Sequence, residues 1–212
     1  MNMDIKISFK KYLLIVALGF GLGGFLWGLV LYQGIPKVQF PFHFMAIIIM
    51  GLFGGISLVW PLENIKEHSK SVLAGFLGWG IGFIVGGLLS YPLTLIGGFI
   101  LSIILPFSIN VNLFDLKPNI GITAYWLVFL LVGAIIGLFY SLFLKTKKWA
   151  LIWRSGVGLA IGSIIGPIIG NLIGNLFNSL LTSYLITFIL IGIISGLSLS
   201  WGIYRNQGRS LK

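Results

Sequence analysis

The chain has 212 residues, of which 14 are Lys or Arg and 4 are Asp or Glu, so its net charge is +10 although only 8% of its residues are charged. Hydrophobic residues make up 58% of the chain, whereas soluble domains average about 45–50% apolar and about 25% charged residues. This composition excludes a soluble globular domain and a disordered chain. Cysteine is absent, which excludes disulfides, thiol catalysis and thiolate metal sites. We therefore predict an all-α polytopic membrane protein.

Six apolar segments are long enough to cross a bilayer core of about 30 Å as helices. They cover residues 12–32, 43–60, 72–92, 124–144, 153–174 and 182–204, within a single membrane domain that we assign to residues 1–212. The first segment is too long for a signal peptide and lacks a small-residue cleavage site at its end. Trp27 and Trp79 lie deeper than the aromatic residues at the span ends, so we expect them to pack between helices.

Residues 93–107 form a further apolar segment between the third and fourth predicted spans. This segment is short for a span, Gly97 and Gly98 lie near its middle, and prolines stand at 92 and 106. One interpretation is a re-entrant or interfacial segment on the outer side, which protein or a wet cavity must shield. The other is a tilted extension of the third helix. A seventh span would move the basic loop 145–154 to the outside.

The positive charges indicate the orientation of the chain. Twelve of the 14 cations lie in the two tails and in loops 61–71 and 145–154, and only Lys37 and Lys117 lie in the alternate loops. Because cationic loops stay on the cytoplasmic side, we predict that both termini are cytoplasmic and that the chain is integral to the cell (plasma or inner) membrane. The same charges attract anionic lipid heads. No basic face with recognition groups is present, which argues against nucleic acid as a partner.

Glycine recurs at four-residue spacing and divides the spans into two types. The second, fourth and sixth spans (B-type) each contain one pair, and residues 51–60 also match residues 192–201 at an offset of 141. The third and fifth spans contain longer ladders and the first an irregular cluster (A-type), so we predict three Gly-rich hairpin repeats. The candidate helix-packing glycines are Gly51, Gly55, Gly78, Gly82, Gly86, Gly133, Gly137, Gly158, Gly162, Gly166, Gly170, Gly192 and Gly196. Such faces let backbones approach within a bundle or between copies, and they can alternatively line a pathway.

Groups for catalysis are absent from the predicted spans. The four acids, Asp4, Glu63, Glu67 and Asp115, all lie in tails or loops, which argues against proton-coupled transport and intramembrane acid–base catalysis. Glu63, Glu67 and His68 can meet a cation, but a solvated helical turn explains them more simply, and we interpret His43 as structural. We expect five span serines to bond to carbonyls of their own helices, since no base lies within reach: Ser57, Ser90, Ser141, Ser163 and Ser198. We predict no catalytic residue, no metal site and no cofactor.

The strongest polar pattern is Asn171, Asn175, Asn178 and Thr182. Their spacing predicts one helix face that continues the glycine ladder to the outer surface. These side chains can bind a neutral polar solute or carry water, and they can equally link helices or solvate a helix end. Asn110, Asn112 and Asn119 of the outer loop can join the same polar mouth.

Two functional hypotheses remain. The first is a non-enzymatic, tightly packed helix bundle that acts as a subunit or scaffold of a membrane assembly, as a homo-oligomer or within a larger complex. The alternative is a passive channel, or the membrane substrate-binding component of a transporter, for a small neutral or apolar solute.

Overall fold

The computed structural model describes residues 8–33, 40–60, 65–104, 125–144 and 148–207. Within these ranges the chain forms helices and no strand. Helices satisfy all their own backbone hydrogen bonds, as an apolar solvent requires. The seven helices are α1 (Phe9–Gln33), α2 (Phe40–Val59), α3 (Ile65–Leu88), α4 (Ser90–Ile104), α5 (Trp126–Phe143), α6 (Lys148–Leu176) and α7 (Leu180–Gln207).

The helices are apolar and long, so the all-α membrane class holds. Five apolar stretches are long enough to cross a bilayer, namely Phe9–Tyr32, His68–Leu88, Trp126–Phe143, Trp149–Leu176 and Leu180–Tyr204. In α2 the corresponding stretch is the shorter Ile47–Val59, so a sixth span stays a prediction. The third predicted span is too long at its C-terminal end, because α3 ends at Leu88 rather than at residue 92.

The proline at position 92 explains where α3 ends. A proline ring clashes with the carbonyl four residues earlier, which here belongs to Leu88, and proline is tolerated in the first turn of a new helix. Residues 93–104 accordingly belong to α4 and not to an uninterrupted α3, and residues 105–107 lie outside the described ranges. Helix α4 packs mainly on α5, where the Trp126 indole nitrogen donates to the Gly97 carbonyl oxygen at 3.1 Å. A re-entrant position for this segment stays a prediction.

The other six helices form a closed ring. Each packs against the helix before and after it, in the order α1, α2, α3, α5, α6, α7, and α7 packs against α1. Neighbours run antiparallel: Gly51 of α2 faces Gly75 of α3, whereas the later Gly55 faces the earlier Ser71. The chain order thus becomes the order around the ring.

Aromatic side chains fill the middle of this ring. Trp27 of α1 lies 5.3 Å from Phe83 of α3 and 6.3 Å from Phe129 of α5, measured between ring centroids. Since α1 is a ring neighbour of neither α3 nor α5, these side chains must meet in the ring interior. Trp27 and Trp79 are 4% and 1% exposed, which confirms that they pack between helices.

Candidate functional site

The predicted polar face at the outer end of α6 does not form as one helix face. Asn171 and Asn175 belong to α6, which ends at Leu176. Asn178 lies in the turn that follows, and Thr182 belongs to α7. The prediction that all four share a helix is therefore wrong, because the helix stops before the spacing is complete.

Asn178 ends α6 through its backbone. Its φ of 47° is the only positive φ of a non-glycine residue in the described chain. The Ser179 amide donates to the Gly174 carbonyl oxygen at 2.9 Å, and the Asn178 amide donates to the Asn175 carbonyl oxygen at 3.2 Å. These two bonds define a Schellman motif, in which a left-handed residue satisfies the last helix carbonyls.

Ser179 begins α7 as its N-cap. Its hydroxyl oxygen accepts hydrogen bonds from the Thr182 amide at 3.1 Å and from the Thr182 hydroxyl at 2.9 Å. Capping satisfies an amide that the helix itself leaves without a partner. Thr182 therefore stabilises the turn between α6 and α7 through its bonds to Ser179.

Asn171 is the member of the predicted set that lies inside the protein. It is 8% exposed, and its Oδ1 accepts a hydrogen bond from the Ser183 hydroxyl of α7 at 2.8 Å. Its Nδ2 and the hydroxyl of the buried Thr187 have no hydrogen-bond partner in the described structure. The structure thus brings Asn171 to α7 as a link between two helices, with one amide donor left over.

The candidate packing glycines lie where ring neighbours approach most closely. A Cβ placed on Gly51 would lie 2.7 Å from the Gly75 carbonyl oxygen, and one on Gly166 would lie 2.7 Å from the Thr187 carbonyl oxygen. Real Cβ atoms essentially never approach other atoms within 3.0 Å. Backbone contacts below 3.6 Å occur in the same way at Gly55, Gly78, Gly82, Gly133, Gly137, Gly158, Gly162, Gly170 and Gly192; Gly86 and Gly196 instead face the side chains of Val132 and Phe20 at 2.6 and 2.9 Å.

The ring centre contains two polar groups that the sequence analysis did not propose as a site. The indole nitrogen of Trp79 and the hydroxyl of Tyr140 are buried and have no hydrogen-bond partner among the described residues. Tyr12, which is also fully buried, donates its hydroxyl to the Leu58 carbonyl oxygen at 3.2 Å. A signal was present for Trp79, since indole groups usually prefer the membrane interface and this one lies deep in its span.

The serines mostly follow the prediction. Ser57, Ser90, Ser141 and Ser163 each donate to the carbonyl three residues earlier in the chain, at 2.7–2.8 Å. For Ser90, at the start of α4, this acceptor is Gly87 of α3, so the expected bond within its own helix is not formed. Ser198 differs, because its hydroxyl donates to the Arg154 carbonyl oxygen of α6 at 2.6 Å. The expectation for Ser198 is wrong, and this bond joins two helices at one end of the ring.

Most of the remaining candidate residues lie outside the described part of the chain. Glu63, Asn110, Asn112 and Asn119 lie outside the described residues, as do the side chains of His43 and Glu67. His68 lies near the start of α3 and is partly buried. Within the described ranges, no three His, Cys, Asp or Glu side chains come together as a metal site would require.

Comparisons with known proteins place the chain in no group. It matches no protein-family model, no curated protein and no solved structure.

Proposed function

We propose that this chain is a non-enzymatic membrane protein, a single six-span bundle that serves as a subunit or scaffold of a membrane assembly. One observation carries the proposal: at least one glycine lies at each of the six contacts around the ring. Close backbone packing replaces the hydrophobic drive that is missing between helices in lipid. The outer faces of this ring are apolar.

A threefold repeat is supported by the positions of three further glycines. Gly24, Gly75 and Gly156 lie on α1, α3 and α6, and each faces the B-type helix before it in the ring, namely α7, α2 and α5. The B-type pairs Gly51/Gly55, Gly133/Gly137 and Gly192/Gly196 all face the A-type helix that follows. We infer that three equivalent hairpins pack head to tail.

The outward surfaces favour an assembly formed through side chains rather than through glycines. Leu14, Leu18 and Leu22 form an exposed row on α1, and α6 exposes Ile161, Ile165, Ile168 and Leu172 in the same way. A Cβ placed on most of the described glycines would meet atoms of the same chain within 4 Å, whereas one on Gly87 would meet none. A homo-oligomer or a larger complex would therefore use apolar side chains as its contact surface, beside the lipid.

The test is native electrophoresis of membranes solubilised in mild detergent. We expect the chain in a species larger than the monomer, and Leu18→Glu, on the exposed row, to shift it to the monomer. Lys10→Glu, which introduces the same group outside the apolar row, is the matched control. A chain that migrates as a monomer even at high expression contradicts the assembly.

A second function is favoured by the two unpartnered groups at the ring centre. We propose as the alternative that the chain binds a small neutral or apolar solute as the membrane component of a transporter. Aromatic rings fill the interior, with Trp27 only 4.5 Å from Phe188 between centroids, so binding is favoured over an open channel. Light scattering of proteoliposomes in a glycerol gradient should match empty liposomes, and faster glycerol entry would instead favour the channel.

A further inference from the structure

The unpartnered groups at the ring centre are both hydrogen-bond donors. Trp79 is 1% exposed and Tyr140 is 0% exposed, yet neither the indole N–H nor the phenol O–H has a partner in the described structure. An unsatisfied polar group in an apolar interior is costly, so buried Trp and Tyr normally find a partner. Two such groups in one interior indicate that an acceptor from outside the chain completes them.

Both donors lie at the same crossing of α2 and α3. A Cβ on Gly75 would lie 2.9 Å from the Tyr140 hydroxyl, and a Cβ on Gly51 would lie 2.8 Å from Trp79 Cδ1, the atom bonded to the indole nitrogen. Gly51 and Gly75 face each other across this crossing. The glycines therefore bring the two helix backbones together here, and both donors lie beside this one contact.

The surroundings of the donors define what can bind. Trp79 stacks on Phe83 with centroids 5.8 Å apart, and it meets Trp27 edge-on at 6.5 Å and Phe20 at 6.3 Å. These rings offer faces and edges on which another flat ring can pack. Besides Trp and Tyr, the buried residues of the described chain that carry polar side chains are Ser, Thr and Asn, none of which is charged, so nothing there would compensate a charge on the ligand.

From this geometry we infer that the ring centre binds a neutral, planar heteroaromatic molecule whose acceptor atoms take the Trp79 N–H and the Tyr140 O–H. The inference rests on the second proposed function, solute binding, and it names the substrate class. The ligand enters between the aromatic side chains, which turn aside around it. Its aromatic face gives affinity, and its acceptors distinguish it from a hydrocarbon of the same shape.

The test compares quinoxaline with naphthalene, which has the same shape and no acceptor. The purified full chain is labelled with ¹⁵N at its tryptophan indoles, and the Trp79 signal is assigned from its loss in Trp79→Phe. We expect quinoxaline to move the Trp79 N–H proton signal downfield and naphthalene to leave it in place. Equal downfield shifts with both compounds, or none with quinoxaline, overturn the inference.

Variants that remove one donor and retain the ring make the test sharper. By equilibrium dialysis, Tyr140→Phe and Trp79→Phe should each weaken quinoxaline binding about five- to tenfold, as expected for the loss of one hydrogen bond. Tyr91→Phe on the exposed face of α4 is the matched control and should bind unchanged. Quinoxaline affinity that is the same in all three variants overturns the inference.

The two levels of the proposal fail in different ways. If naphthalene binds as tightly as quinoxaline and both donor variants bind normally, solute binding stands and the heteroaromatic class is wrong. If neither compound binds, and Tyr140→Phe lowers the thermal midpoint, the donors are satisfied by water in the free protein and both the substrate class and the solute-binding function are wrong.

Discussion

Asn178 shows how one backbone conformation separates two long helices. Its side chain is exposed, and its positive φ, rather than a bound solute, accounts for its place after α6. Asparagine tolerates the left-handed region better than most residues, and glycine tolerates it without cost. The turn and the Ser179 cap together reverse the chain within the few residues between α6 and α7.

Substitutions at Asn178 should follow backbone preference. We expect Asn178→Gly to leave the free energy of unfolding unchanged or to raise it by up to about 1 kcal/mol, and Asn178→Val to lower it by about 1–3 kcal/mol, because a β-branched residue is strained at positive φ. Unfolding in mixed micelles with increasing denaturant measures both. Phe177→Val, at the exposed neighbouring position, is the control, and equal losses for the two valine variants would contradict the role of φ.

Ser198 and Ser57 have the same chemistry but different partners. Ser198 donates to α6, whereas Ser57 donates within its own helix, so only Ser198 loses an interhelical bond when it is replaced by alanine. We expect Ser198→Ala to cost about 0.6–1.7 kcal/mol of unfolding free energy and Ser57→Ala to be nearly neutral. The same micelle unfolding measurement compares them. Equal costs would show that the interhelical bond contributes nothing.

Among the elements, α4 depends most on a single contact. Its outward residues Leu95, Ile96 and Phe99 are exposed, and the Trp126 indole bond to Gly97 joins it to the start of α5. Few buried contacts with the rest of the described chain, and this polar link, indicate low local stability. We therefore expect α4 to open more readily than the ring helices.

Hydrogen exchange tests the attachment of α4. In Trp126→Phe, which keeps an aromatic ring and removes the donor, amides of α4 should exchange about five- to tenfold faster while amides of α6 and α7 keep their rates. Trp149→Phe, at an exposed tryptophan, should change neither. A uniform increase across all helices would mean that the bond supports the whole fold instead.

The element scale also shows what the sequence could and could not predict. Each predicted span falls on a helix, apart from the end of the third, which reaches into α4, because apolar length is a local property of the chain. The proline at 92 could have been used to predict the end of α3. The end of α6 depends on the positive φ of Asn178, which the periodicity of the sequence does not predict. The meeting of Trp79 and Tyr140 depends on ring order, and in lipid the apolar faces of all helices are alike, so pattern alone does not select neighbours.

At the scale of the whole molecule, glycine spacing and ring geometry support each other. Four-residue ladders allow two backbones to stay close over several turns, and glycines four residues apart on each of the A-type helices α1, α3 and α6 face the next helix in the ring. Leucine at such a position must separate two backbones. The same substitution at a glycine without neighbours has no such effect, which gives a matched pair of variants.

Gly166→Leu and Gly87→Leu form that pair. A Cβ at Gly166 would lie 2.7 Å from the Thr187 carbonyl oxygen, whereas nothing lies within 4 Å of one at Gly87. We expect Gly166→Leu to lower unfolding free energy by about 3 kcal/mol or more through overpacking, and Gly87→Leu to change it by less than about 1 kcal/mol. Thermal unfolding of the detergent-solubilised chain measures both. Similar midpoints for the two variants would contradict tight packing between α6 and α7.

Closure of the ring between its first and last helices gives the most direct test of the architecture. A Cβ on Gly28 of α1 would lie 3.3 Å from the Leu185 Cα of α7, a separation compatible with the 3.5–4.5 Å that a disulfide requires between Cβ atoms. Because the chain has no cysteine, Gly28→Cys with Leu185→Cys creates the only thiol pair. Mild oxidation should join these helices, detected as a linked peptide by mass spectrometry, while Gly87→Cys with Leu185→Cys should stay reduced. An open bundle would keep both pairs reduced, since α1 and α7 would then lie at opposite ends of the row.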